Sequence, residues 1–213
     1  MDILTFEETR IIGSLIEKEL TTPEYYPLTV NSLKNACNQK SSRNPVVSFD
    51  ETLIEKTIER LREKSLVSRI TGGDIRVAKY RQVFTEALNL TPAETAVLCE
   101  LMNRGAQTPG ELNSRTSRMF KFESLNQVTD TIQKLIEREI PLVVKLPRQP
   151  GTKESRFAHL LSGEPEIVSQ NAQEENSSVE NDRIQKLEEQ VESLKNDLEE
   201  LKKSFEEFKS QLE

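Results

Sequence analysis

The sequence has no tryptophan, one histidine (His159) and two cysteines (Cys37 and Cys99). A structural zinc site takes about four clustered Cys or His ligands, and three scattered residues do not supply them. The thiols are expected to be buried and free, as in a reducing compartment, although the count alone also permits one disulfide. Glycine is scarce at seven residues, and neither a phosphate loop nor a dinucleotide fingerprint is present. Gly72-Gly73 lies between two strand-like runs, not between a strand and a helix. No apolar run reaches the roughly 18 residues that a membrane-spanning helix needs. Met1-Asp2-Ile3-Leu4 lacks the basic segment and apolar stretch of a secretory signal, so a cytoplasmic setting without membrane association is expected. The acidic residues fall mostly on solvated helix faces, with no pair placed for acid and base roles. His159 reads as a strand residue. The expectation is a non-enzymatic protein with no metal and no cofactor.

Charge is present but unevenly divided. Residues 1–165 hold 23 Lys/Arg and 22 Asp/Glu, whereas residues 166–213 hold 6 and 14. The overall charge of -7 therefore belongs to the C-terminal part, and the nearly neutral remainder leaves a nucleic-acid partner open.

An internal repeat organises the first part. Thr5-Phe6-Glu7-Glu8 is a capping box before the apolar face Ile11, Ile12, Leu15 and Ile16. The same grammar returns 86 residues later in Thr91-Pro92-Ala93-Glu94, followed by Val97, Leu98 and Leu101, and Thr108-Pro109 takes the place of Thr22-Pro23. Each copy predicts two further helices. In the first they span Leu28 to Lys40 and the stretch after Asp50, with Leu53, Ile54, Ile58 and Leu61 inward. In the second they span Glu111 to Met119 and the stretch after Ser124, with Val128, Ile132, Leu135 and Ile136 inward. The period then shifts toward two around glycine-containing turns, giving hairpins at 66–80 and 142–160.

Three helices closed by a hairpin are the elements of a winged-helix domain. The predicted fold is mainly α with small antiparallel β hairpins: tandem winged-helix domains at 1–84 and 85–162, then a C-terminal coiled coil. The polar composition of 163–182 predicts a flexible linker. From 183 to 213 a heptad runs without error through Ile184, Leu187, Val191, Leu194, Leu198, Leu201, Phe205, Phe208 and Leu212, with β-branched residues at the first two a sites and leucine at the first three d sites. A homodimer or other homo-oligomer is expected; a lone amphipathic helix docked on the body is the other reading of this pattern.

Winged helices present their third helix to the major groove of double-stranded DNA. In the first copy that helix carries Glu51, Glu55, Glu59 and Glu63, which phosphates would repel. The second copy offers Asn126, Gln127, Gln133 and Lys134 on its third helix, Arg115, Arg118 and Lys121 before it, and Lys145, Arg148 and Lys153 around the hairpin. Amides at such positions pair with adenine edges, and cations with phosphates. An ordinary solvated surface is the competing reading of these residues. A nucleic-acid-associated regulator is the leading functional expectation, and a protein-interaction adaptor assembled through the coiled coil is the alternative.

Several longer motifs also carry a resemblance: Thr21-Thr22-Pro23-Glu24-Tyr25-Tyr26-Pro27-Leu28, Asn35-Ala36-Cys37-Asn38-Gln39-Lys40, Arg43-Asn44-Pro45-Val46, Arg104 to Leu112, Ser114 to Met119, and Pro150 to Phe157. Over about residues 4–161 the chain resembles the YceH-like family of bacterial proteins (UPF0502). The resemblance implies tandem winged-helix domains and brings no reaction, cofactor or DNA site with it. Its polar motifs make Asn38, Arg43, Arg115 and Arg118 candidate surface residues.

Overall fold

The computed structural model describes residues 3–72, 75–148 and 154–164. They are mainly helical, with two small antiparallel hairpins. Residues Met1–Pro165 form one compact unit. The heptad seam from Ile184 to Leu212 and the proposed linker beyond Glu164 lie outside the described residues, as does Lys153.

The elements run α1 (Phe6–Thr21), α2 (Val30–Cys37), α3 (Glu51–Glu63), β1 (Val67–Gly72), β2 (Ile75–Gln82), a short α4 (Phe84–Ala87), α5 (Pro92–Arg104), α6 (Pro109–Arg115), α7 (Leu125–Ile136), β3 (Val143–Lys145) and β4 (Phe157–His159). Local chemistry sets the helix starts. Glu8 N donates to Thr5 Oγ1 at 3.3 Å while Thr5 N donates back to Glu8 Oε2 at 2.9 Å, so two otherwise unpaired amides are satisfied reciprocally. Thr91 with Glu94 repeats the box on α5, and Thr108 with Glu111 forms a third on α6. Asp50 and Ser124 cap α3 and α7 through the amides of Leu53 and Gln127.

The second helices are shorter than the periodicity predicts. Leu28 is not helical; it exchanges both backbone hydrogen bonds with Tyr80, at 3.1 and 2.8 Å. Gln107 does the same with Phe157 at 3.0 and 2.8 Å. Each bridged residue immediately precedes the threonine cap of the next helix, Thr29 or Thr108. The structural counterpart of Thr108 is therefore Thr29, not Thr22. Pro23–Tyr25 form an extra 3-10 turn in the first copy, which is why matching Thr-Pro pairs by sequence misplaces the equivalence.

The core sits between the two copies as much as inside them. Every residue from Glu8 to Ile16 of α1 and from Glu94 to Asn103 of α5 is buried, and the two helices pack along each other. Burying Ile11, Ile12, Leu15, Ile16, Val97, Leu98 and Leu101 contributes about 1.5–3 kcal/mol per side chain before chain entropy is set against it. The repeat offset pairs Gly13 with Cys99, and these two meet: the Cys99 thiol donates to Gly13 O with Sγ to O 3.3 Å. The ends close in the same sense. Leu90 N bonds Thr85 O, just after β2, at 3.0 Å, and its counterpart Leu4 N bonds Leu161 O, just after β4, at 2.8 Å.

The segment joining α2 to α3 is fixed on this seam. Arg43, expected at the surface, has a side chain with no exposure, and its guanidinium bonds Ala36 O, Ser42 O and the Glu17 carboxylate. A lone loop cation reads as a surface residue because its carbonyl partners are set by tertiary structure. Asn38 is likewise engaged inward, closing a reciprocal pair with the backbone of Phe49 at 2.8 Å each way. Asn44 N donates to Asn103 O at 2.9 Å and Arg104 to Ser42 Oγ at 2.7 Å, so this loop of the first copy is tied to α5 of the second. Both cysteines are buried and free; burial pushes the Cys37 thiol up to about 11 and Cys99 well above its ordinary value.

Candidate nucleic-acid interface

Helix α7 buries Val128, Thr131, Ile132 and Leu135 against α5, α6 and β3. Its opposite side is open: Asn126, Asp130, Gln133 and Glu137 are exposed, as are Leu125, Thr129 and Lys134. Two of the amides are engaged locally. Gln127 Oε1 accepts from Glu123 N at 2.8 Å, bracing the start of the helix, and Gln133 Nε2 donates to Glu137 Oε1 at 2.6 Å. Among the described residues Asn126 has no side-chain partner.

The cations of this copy divide into two sets. Arg115 Nη1 donates to Gln107 Oε1 at 2.7 Å and Nη2 lies 3.5 Å from Glu111. Arg156 Nη1 donates to Ala106 O at 2.8 Å and to Glu111 Oε2 at 2.9 Å. Arg138 holds Leu88 O and Glu94. These three brace the fold. Arg118, Lys121, Lys134, Lys145 and Arg148 are exposed, and among the described residues none of them makes an ion pair or a side-chain hydrogen bond.

In the first copy some cations are taken up by acids, while Lys40, Lys56 and Arg69 are exposed and make no ion pair among the described residues. Lys34 pairs with Glu51 at 3.2 Å, Arg62 with Glu59 at 2.5 Å, and Lys64 with the buried Glu8 at 2.8 Å; Arg60 lies 3.9 Å from the same Glu8. Glu51, Glu55, Glu59 and Glu63 are all exposed along α3. The two third helices thus differ in the acids they expose, four along α3 against Asp130 on α7, a difference the net charge of each copy does not contain.

No group of three or more His, Cys, Asp or Glu among the described residues could hold a metal ion, and no described helix is long and apolar enough to cross a membrane. His159 is a largely buried strand residue whose Nδ1 has no partner among the described residues, and burial lowers its pKa to about 4.

The family described as "Protein of unknown function, DUF480" matches residues 4–152. The chain belongs to this family. Relatives named UPF0502 protein match it over most of their length. The one from Citrifermentans bemidjiense is 49% identical over 185 residues, covering 86% of each chain. That from Solibacter usitatus is 51% identical over 185 residues, covering 86% of this chain and 88% of the relative. A third, from Opitutus terrae, is 51% identical over 170 residues, covering 79% and 74%. The DUF480 match takes in Arg118, Lys121, α7, Lys145 and Arg148, so the exposed cationic stretch falls within the DUF480 region.

Proposed function

We propose that the chain is a cytoplasmic, non-enzymatic regulator built from tandem winged-helix domains at about 1–84 and 85–162, and that its second domain binds double-stranded DNA. The observation that carries this reading is the set of five exposed cations, Arg118, Lys121, Lys134, Lys145 and Arg148, that have no internal partner among the described residues. Arg118 and Lys121 precede α7, and Lys145 and Arg148 follow it at the second hairpin. Cations before and after a third helix in the chain, with Lys134 on the helix itself, suit the phosphates bordering a major groove that the helix enters. Arg115, a candidate by sequence, acts in this reading as a brace on Gln107 and Glu111. Lys153 remains a candidate on sequence alone.

The exposed stripe Glu51, Glu55, Glu59 and Glu63 favours a different role for the first domain, as a platform for a protein partner. The heptad from Ile184 to Leu212 supports assembly into a parallel dimer, which would bring two DNA-binding domains together.

Selection from a random duplex library at stated salt tests the reading. Enrichment of DNA that is lost in the Arg118→Ala/Lys121→Ala variant, and kept in Arg62→Ala, is the expected result. Folded protein that enriches no duplex would overturn it.

A further inference from the structure

We propose that Asp130 and Asn126 are the residues that read base identity, Asp130 by accepting from the N4 amino group of a cytosine and Asn126 by pairing with the N6/N7 edge of an adenine. The inference rests on the DNA-binding reading above and gives that site a sequence preference.

The two residues are four apart on α7, hence one above the other on a single face. That face is the one opposite Val128, Ile132 and Leu135, which are buried. Asn126 and Asp130 are both exposed, and neither has a side-chain partner among the described residues. The amides of Gln127 and Gln133 are less available, because Gln127 is held on Glu123 N and Gln133 on Glu137. Lys134, exposed and without a partner among the described residues, suits a phosphate rather than a base edge. Thr129 donates to Leu125 O at 3.0 Å.

A carboxylate in the middle of the presented face, with free cations before and after it, looks at first like an obstacle to binding. Its position resolves this. Arg118 and Lys121 come before α7 and Lys145 and Arg148 after it, and Lys134 lies one turn beyond Asp130 on the helix. These cations would meet the phosphates, while Asp130, in mid-helix, is directed to the groove floor. There the cytosine amino group is a donor that a carboxylate can take, and guanine O6 and thymine O4 at the same place are acceptors that it repels. Asn126, one turn nearer the helix start, carries the donor and acceptor needed for adenine. The predicted target is a duplex with an adenine and a cytosine within one to three base pairs of each other, read from one groove.

Asp130 then makes two opposite contributions. It lowers affinity for DNA in general through phosphate repulsion, and it raises discrimination at one base pair. Removing it separates them, which loss of a merely structural or merely solvated residue would not do.

The test uses the full chain and the duplex enriched by wild type, with every base pair of the site varied in turn. For Asp130→Ala the expected result is binding to random duplex tightened several-fold, with the preference at one C·G pair falling from roughly ten-fold to about two-fold. For Asn126→Ala a roughly ten-fold loss confined to one A·T pair is expected, and replacing that adenine by 7-deazaadenine should weaken wild type but not the variant. Unchanged preferences at every position in Asp130→Ala would overturn the cytosine assignment. An Asn126→Ala loss that is equal on adenine and 7-deazaadenine would overturn the adenine assignment. In either case retained wild-type binding to duplex leaves the DNA-binding reading standing, whereas a wild-type chain that enriches no DNA removes both.

Discussion

Gly13 and Cys99 occupy the same position in the two copies of the repeat and touch, with the Cys99 thiol 3.3 Å from the Gly13 carbonyl oxygen. They meet where α1 and α5, the first helices of the two copies, pack along each other. The start of each copy is also bonded just after the last strand of the other, Leu4 to Leu161 across the fold and Leu90 to Thr85 through a local turn. The contact explains the glycine. A Cβ at Gly13 would lie 3.0 Å from Asn103 Oδ1 and 3.1 Å from Met102 Cβ, so a larger residue would push the copies apart.

Gly13→Ala should therefore destabilise the fold. Overpacking costs about 1–3 kcal/mol, and the gain in helix propensity of about 0.5–1 kcal/mol offsets only part of it. Gly110→Ala is the control: it is exposed in α6, and its Cβ would meet only Thr108 Oγ1, at 3.9 Å. Urea unfolding should give a lower midpoint for the first variant and an equal or higher one for the second. A higher midpoint for Gly13→Ala would contradict this view of the seam.

Two buried arginines make opposite predictions. Arg43 satisfies Ala36 O, Ser42 O and Glu17, so Arg43→Met strands an anion and two carbonyls and should lose about 3 kcal/mol. Arg10 is fully buried, yet it donates only to Pro45 O at 2.9 Å, with its Nε and Nη1 unpartnered among the described residues. Burial first, and the neighbouring Arg43 second, lower its pKa to about 10. Arg10→Met should be neutral or stabilising, because the charge it removes is poorly compensated. Denaturant midpoints of the two variants check the contrast.

His159 offers a clean pH probe, being the only histidine of the chain. Its folded pKa of about 4 lies below the ordinary 6.5, so the folded state stays neutral while the unfolded state takes up a proton. The associated stability is fully present above pH 6.5 and declines as pH falls from 6.5 toward 4, by up to about 3 kcal/mol. The imidazole resonances should titrate near 4, and His159→Gln should lose less stability than wild type between pH 6.5 and 4. A titration near 6.5 would contradict the buried placement.

Much of this architecture can be read from residues close in sequence. Thr5 with Glu8, Thr91 with Glu94, Asp50 and Ser124 announce four helix starts because capping is a contact over three residues. The bridges of Leu28 to Tyr80 and Gln107 to Phe157 leave no such mark, since a single extended residue has no period and its partner lies about 50 residues away. The burial of Thr9, Arg10 and Ser14 is hidden for a related reason: α1 appears amphipathic until α5 covers its polar side. At the candidate interface, composition reveals the cationic bias of the second copy. It does not separate Arg115 and Arg156, which brace Glu111, from Arg118 and Lys145, which are free. Asp130 escapes notice in the sequence because an acid on a helix reads as ordinary solvated surface.

Assembly through the heptad is checked by sedimentation of the full chain. Wild type should sediment as a dimer, and Leu194→Pro/Leu201→Pro, which interrupts two successive d positions, should sediment as a monomer with unchanged far-ultraviolet features from residues 3–164. The same oligomeric state for both would contradict the heptad's role.

The central claim, that the second copy binds duplex DNA through its five free cations, is tested most directly by affinity measured as a function of salt. Neutralising five phosphates per chain predicts a slope of log affinity against log salt of about -4 to -5 for each copy of the chain engaged on DNA. Lys145→Ala/Arg148→Ala should reduce the slope by about 2 and Arg62→Ala should leave it unchanged. A slope unaffected by loss of Lys145 and Arg148, or no measurable binding at low salt, would contradict the account.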